Sequence, residues 1–454
     1  MCGIVGIYNS EEASTLTYLG LYALQHRGQE GVGIVSYHDS KMAAEKGVGL
    51  VSEVFSSKNK LNRLKGKVAI GHNRYSTYGD KNYTNIQPLV FNYKGYQIAI
   101  AHNGNLINVA SISKELEEKG AIFQTTSDTE CIIHLFAHSR EKTVEGKMLD
   151  ALRNLQGAFS LIILINDKMI VARDKCGIRP LCIGKLGDTL IFASETCALD
   201  LIGANYIRDV NPGEMIYLDG NEERSYKIGD PQPRHCIFEY VYFSRPDSRI
   251  FGEYVDKTRR KIGKNLALEK PVEDADIIIS IPDSSNTIAL GYAQRSSAKY
   301  EIGLIRNHYI GRTFIYPTQE MRDFGVKIKF NPIGGVLNQR KVVIVDDSIV
   351  RGTTLKKLVR MIRETTQPAE IHIRIGSPPV KHPCFYGMDF PSEQELIANN
   401  KNIEEIRTHL EVDSLGYISV EGLIQSTSLP ANHFCTACFT GEYVDFDDNA
   451  KKME

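Results

Sequence analysis

The chain has 454 residues, 42% hydrophobic and 24% charged, with 37 Gly, 16 Pro and a net charge of −1. That length exceeds one compact core and points to two or three domains. The near-neutral charge provides no global field for nucleic acid or an anionic membrane surface, so neither is an expected partner. No apolar run reaches the roughly 18 residues that span a bilayer. Met1-Cys2-Gly3-Ile4-Val5-Gly6 lacks the basic and apolar segments of a signal peptide, so a cytoplasmic, reducing environment is expected. The nine cysteines are therefore not read as disulfides. Cys131, Cys176, Cys182 and Cys197 sit singly in apolar or mixed surroundings, as buried small hydrophobes do.

Residues 1 to about 230 hold many short apolar stretches and two helical ones. Strands are expected over 4–8, 33–37, 68–71, 97–101, 159–165, 168–173 and 189–193. Helical spacing covers 14–24 and 128–139, the second opening on Ser127-Asp128-Thr129-Glu130, the pattern of a capping box. Many strands with few crossover helices predict two packed antiparallel sheets with helices outside. Gly229-Asp230-Pro231-Gln232-Pro233 breaks this pattern and divides the chain into domains 2–230 and 231–454. Beyond it, apolar runs over 276–282, 341–347 and 370–376 alternate with helix. Leu355, Leu358, Val359 and Ile362 recur at helical spacing between the last two runs, so a parallel α/β domain is predicted.

The run from Lys341 ends in Asp346-Asp347-Ser348, and Arg351-Gly352-Thr353-Thr354 then opens a helix. Such a loop aims backbone N–H groups and hydroxyls at an anion on the helix N-terminus. The adjacent carboxylates suit the vicinal hydroxyls of a ribose. A ribose 5-phosphate ligand follows; the competing reading is a plain strand-to-helix turn. No Gly-Lys-Ser/Thr is present, so this is not a Walker loop. The stretch resembles the phosphoribosylpyrophosphate (PRPP) loop of type I phosphoribosyltransferases. That resemblance implies PRPP-binding roles for Asp346, Asp347, Ser348, Arg351, Gly352, Thr353 and Thr354. It makes Asp283-Ser284 the pyrophosphate loop and implies one Mg²⁺ per subunit at Ser284, Asp346 and Asp347. The long basic connection 306–330, with Arg312, Arg322, Lys327 and Lys329, reads as a lid or binding loop, with a plain solvated loop as the competing reading; Arg312 and Lys329 are assigned to PRPP.

At the other end of the chain, removal of Met1 would leave Cys2 with its own α-amine, which ordinarily titrates near ~7.7–8.0. As the neutral amine it is a ready general base for the thiol. Alone, a cysteine after the initiator is weak evidence. It is followed by Gln25-His26-Arg27-Gly28, Gly71-His72-Asn73-Arg74, Ala101-His102-Asn103-Gly104-Asn105 and Thr126-Ser127-Asp128-Thr129. Together these resemble the class II glutamine amidotransferase domain of the N-terminal nucleophile superfamily. The resemblance implies an α+β domain, an αββα sandwich, in front of an α/β type I phosphoribosyltransferase domain. It makes Cys2 the nucleophile, and Asn103 with the N–H of Gly104 the oxyanion hole. Arg74 would hold the glutamine carboxylate and Asp128 its ammonium. Arg27 is placed in the glutamine pocket, with a structural ion pair equally open. His26, His72 and His102 receive no catalytic role.

Cys435-Thr436-Ala437-Cys438 with distant Cys236 and Cys384 allows zinc, iron–sulfur, a redox pair or coincidence. The stretches His235 to Ser248, Lys381-His382-Pro383-Cys384 and Asn432 to Cys438 resemble the cluster-bearing branch of glutamine PRPP amidotransferases. There Cys236, Cys384, Cys435 and Cys438 would bind one 4Fe–4S cluster per subunit with a structural and oxygen-sensing role. The propeptide of that branch has no counterpart before Cys2, where Met1 alone stands.

The resemblance spans essentially the whole chain. It implies conversion of glutamine, PRPP and water to 5-phosphoribosylamine, glutamate and diphosphate at the start of purine synthesis, ammonia passing internally. A homotetramer inhibited by purine nucleotides is implied with it. Asparagine or glucosamine-phosphate synthases share the first domain only, and their second domains need other chemistry than this PRPP loop. A PRPP-binding regulator would not need Cys2, Arg74, Asn103 and Asp128 together.

Overall fold

The computed structural model describes residues 1–75, 83–307 and 329–444. Gly3–Tyr8 is buried on both faces because it runs through the middle of a seven-stranded sheet. Val68–Arg74 and Thr189–Ala193 flank it, both antiparallel. A second, six-stranded antiparallel sheet centres on Tyr96–Leu106, Gly157–Ile165 and Lys168–Arg173. Between the sheets Ile4, Val35, Ile70, Ala99, Ala101 and Ile162 form a layer with no exposed surface. Helix Ala13–Ala23 covers the outside of the first sheet. Val109–Glu118, Glu130–His138 and Val144–Arg153 cover the second. The expected sandwich with helices outside is present.

One local expectation fails. The second helix begins at Glu130, and no side chain caps it at Thr129. Glu130 instead turns back to accept from the N–H groups of Gln124 and Thr125, both at 2.7 Å. Asp128 is committed elsewhere, accepting from the N–H of Leu106 at 3.0 Å. The capping-box pattern thus builds a loop wall rather than a helix start.

After residue 233 the chain builds a five-stranded parallel sheet ordered Lys299–Tyr300, Ile277–Ser280, Lys341–Asp346, Glu370–Ile375, Ser414–Tyr417. Alternate residues of the central strands face opposite cores. Ile278, Val343 and Val345 meet helices Val255–Glu269 and Asn286–Ala293. Ile277, Val342 and Ile344 meet Thr353–Thr366. Burial on both faces explains the continuous apolar runs read from the sequence. The two loops expected to bind PRPP leave adjacent strands at one carboxyl edge, where open α/β sheets take ligands. Leu304–Arg306 pairs with Phe330–Pro332, so the two ends of the long connection lie side by side. Arg312, Arg322 and Lys327 lie outside the described residues. Among those described, no helix is long and apolar enough to cross a membrane.

Helices Val255–Glu269 and Asn286–Ala293 touch backbone to backbone at Gly263. A Cβ there would sit 1.9 Å from the carbonyl oxygen of Ile288. Gly263→Ala is expected to force the helices apart at a cost of about 1–3 kcal/mol. Gly335→Ala, with open space at its Cβ, should stay within about 0.5 kcal/mol. Thermal unfolding of the two variants checks the contrast.

Candidate active site

Three neighbouring strand ends bring the first-half residues together. Gly3 pairs with Asn73, which sets Cys2 beside Arg74 at the end of Val68–Arg74. Strand Tyr96–Leu106 brings His102 to Asn105 from the facing sheet. The resulting cleft is lined by Cys2, Arg74, Tyr75, His102, Gly104 and Asp128, among others. Cys2 is 8% exposed, and its Sγ lies 3.5 Å from the backbone N and O of Tyr75. Its backbone N donates to Oδ1 of Asn103 at 3.0 Å. The Nδ2 of Asn103 is buried with no partner among the described residues. A buried donor left open beside a thiol is placed to meet a negative oxygen that forms only during reaction.

Gly104 cannot carry a side chain. A Cβ would lie 2.0 Å from the carbonyl oxygen of Ala158. Arg74 is 7% exposed, and burial lowers its pKa. Met1 is buried too, and burial pushes its amine down to about 5.

Arg27 lies behind this cleft, not in it. Its guanidinium is fully buried, donating through Nε to the carbonyl of Cys2 at 3.0 Å and pairing with both Glu195 and Glu239. The ion-pair alternative therefore describes Arg27, and direct contact with glutamine does not. Among the histidines, burial drives His72 down to about 3, so it is neutral. His102 has Nδ1 3.7 Å from Asp128. Burial opposes its charge, but Asp128 outweighs that and raises its pKa. Burial likewise opposes ionised Asp128, and His102 with the Leu106 and Thr129 hydrogen bonds holds it below the usual carboxylate value.

In the second half, Asp347 is buried and accepts from Ser284 at 2.5 Å and from Ser348 at 2.6 Å. This joins the two expected PRPP loops directly. Burial raises the pKa of Asp346 and Asp347, and for Asp346 the neighbouring carboxylate adds to it. Two carboxylates pushed towards protonation are what a cation would relieve. Gly352, at φ 75°, precedes Thr353–Thr366. Arg351 pairs with Glu395 at 3.1 Å, and Asp283 with Arg306. Lys329 lies over the ring of Phe330, close enough to Asp346 to favour its charge.

Cys236, Cys384, Cys435 and Cys438 line one cavity with Arg179 and Tyr386. Parallel pairing of His235-Cys236 with Phe434-Cys435 brings two of them together. Burial raises the pKa of Cys236, Cys435 and Cys438, and the other thiols add to it. Among the described residues no three His, Cys, Asp or Glu groups converge on a single ion position.

Two buried carboxylates with no role assigned from sequence complete the assembly. Glu195 accepts from His26, Arg27, Ser248 and the N–H of Arg245. Glu239 accepts from Arg27 and Ser244, with Arg179 3.5 Å away. The signal was present in Ile237-Phe238-Glu239-Tyr240-Val241: a lone carboxylate inside an apolar run implies a buried, paired charge.

Residues 72–201 match a family described as glutamine amidotransferase domain. The chain is similar to amidophosphoribosyltransferase of Bacillus subtilis (strain 168), 47% identical over 97% of this chain and 94% of that protein. It is 49% identical to chloroplastic amidophosphoribosyltransferase 2 of Arabidopsis thaliana, over 97% of this chain and 79% of that one. The solved structure of glutamine PRPP amidotransferase from B. subtilis complexed with ADP and GMP matches with a TM-score of 0.92 at 46% identity, covering 98% of both chains. A structure of the allosteric regulatory enzyme of purine biosynthesis matches at 0.93 and 46% identity, covering 98% of this chain and 97% of that one.

The His102–Asp128 pair carries a pH signature. A histidine raised above the ordinary 6.5 stabilises the fold below that value and loses the contribution as pH rises through its folded pKa. His102→Asn is therefore expected to cost more at pH 6, about 1–3 kcal/mol, than at pH 9. Thermal unfolding at the two pH values reads the difference.

Proposed function

The chain belongs to the amidophosphoribosyltransferase family, enzymes of the first step of purine biosynthesis, and we propose how its residues divide that reaction. Cys2, freed of Met1, attacks the side-chain amide carbon of glutamine while its α-amine takes the thiol proton. A free α-amine ordinarily titrates near ~7.7–8.0, so a share of it is neutral near pH 7 and can take that proton. Arg74 and Asp128 hold the carboxylate and ammonium of glutamine. Asn103 Nδ2 and the N–H of Gly104 receive the oxyanion. The tetrahedral intermediate collapses with release of ammonia, and water hydrolyses the thioester to glutamate. The observation that carries this reading is the unpartnered Asn103 donor beside Cys2.

Ammonia then passes within the protein and attacks C1 of PRPP as the C1–O bond to diphosphate breaks. Ser348, Arg351, Gly352, Thr353 and Thr354 cradle the 5-phosphate, while Asp346 and Asp347 face the ribose hydroxyls. Asp283 and Ser284 receive the diphosphate with Lys329 and Arg312, the last lying outside the described residues. Mg²⁺, when bound by Ser284, Asp346 and Asp347, would neutralise departing diphosphate. That sparse donor set suits an ion that keeps waters and phosphate oxygens. Cys236, Cys384, Cys435 and Cys438 would hold a 4Fe–4S cluster of structural rather than catalytic role. The domain boundary near 230, a homotetramer, purine nucleotide inhibition and a cytoplasmic site belong to the same proposal. The ADP and GMP of the B. subtilis complex support the inhibitor class, whereas plant relatives are chloroplastic.

Cys2→Ser is expected to abolish glutamine-dependent synthesis and leave synthesis from ammonium intact. Survival of both activities would remove Cys2 from the mechanism. Protein purified anaerobically should be brown with about four irons per chain; stoichiometric zinc instead would overturn the cluster assignment.

A further inference from the structure

Strand Tyr96–Leu106 ends in Asn103-Gly104-Asn105, and only the first two have a part in the proposed chemistry. Asn105 points across to the second half. Its Nδ2 donates to the carbonyl of Phe385 at 2.9 Å. The Phe385 oxygen can only accept, so it fixes which end of the Asn105 amide faces it. Two residues further on, Gly387 lies against Gly104. A Cβ on Gly387 would stand 2.8 Å from the Gly104 carbonyl oxygen, and Gly387 itself has φ 99°. Between them, the Tyr386 carbonyl accepts from both Nε and Nη2 of Arg179, at 2.9 and 2.6 Å. Segment 384–387 is therefore gripped by the first half at three consecutive residues.

Gly104 is consequently confined on two sides, by the Ala158 carbonyl of the neighbouring strand and by Gly387 from the other half. Its N–H must point at the oxyanion within a few tenths of an ångström to be effective. We propose that Asn105 is a positioning residue for glutamine cleavage: by anchoring to Phe385 it seats segment 384–387 against Gly104 and so sets the oxyanion hole. Asn105 is not among the residues that line the Cys2 cleft. The same segment begins at Cys384, whose Sγ accepts from the N–H of Tyr386 at 3.4 Å. The thiol cavity and the oxyanion hole thus share one short piece of backbone. The inference rests on Asn103 and Gly104 forming that hole.

Asn105→Asp keeps the side-chain shape, removes the donor and turns an oxygen towards the Phe385 carbonyl; Asn105→Ala removes both. In the full-length enzyme, both variants are expected to lower glutamine-dependent kcat about 10- to 100-fold. KM for glutamine should stay within about twofold, because Arg74 and Asp128 are untouched. Ammonium-dependent synthesis and the rate of Cys2 alkylation by iodoacetamide should be unchanged. Equal loss of both activities in step with a lower melting temperature would reduce Asn105 to a structural role and overturn the proposal, as would an unchanged kcat. Asn103→Ala separates the two levels. If it lowers kcat and Asn105→Asp does not, only the positioning inference fails; if Asn103→Ala is silent, the oxyanion reading itself fails.

Discussion

Arg27 sits between Glu195 and Glu239 without solvent contact, and its third direction of hydrogen bonding ends on the carbonyl of Cys2. Burying charges is expensive, and removing one member of such a set typically costs about 3–5 kcal/mol because its partner is left uncompensated. Here each charge is met. Glu195 also takes His26, Ser248 and the Arg245 amide, while Glu239 takes Ser244 and faces Arg179. Burial opposes the charge of Glu195, and His26 with Arg27 outweighs it, holding the carboxyl well below its ordinary range.

This cluster determines more than stability. Arg27, Arg179 and Glu195 come from the sandwich, whereas Glu239, Ser244 and Ser248 follow the 229–233 breaker. The proposed nucleophile is therefore held in place partly by residues of the other half. Asn105 with Phe385, and Arg179 with Tyr386, add further contacts between the two halves. The link fits a chemistry in which ammonia must reach a second site before it is lost to water.

Much of this was legible in the sequence, for physical reasons that differ by region. The parallel sheet was readable because strands covered on both faces are continuous apolar runs, as 341–347 is. The strand-to-helix loop was readable because Asp346-Asp347 at a strand end followed by Gly352-Thr353 is a local pattern. Arg27 was readable as important but not in its role, since an arginine serving a pocket and one serving a buried pair look alike in one dimension. The capping-box reading at Ser127 failed because Asp128 is bound by Leu106, a contact set by tertiary structure. Glu195 and Asn105 went unassigned because their partners lie far along the chain, 53 and 280 residues away for Ser248 and Phe385.

The union of the two halves is tested most directly by isotope competition. Full-length enzyme is given PRPP and glutamine labelled with ¹⁵N in its amide, together with an excess of unlabelled ammonium, and the trapped phosphoribosylamine is weighed by mass spectrometry. Internal passage predicts product carrying the isotope at nearly the enrichment of the glutamine. Product diluted to the composition of the bulk ammonium pool would contradict it, leaving two sites that share a chain but not a reaction.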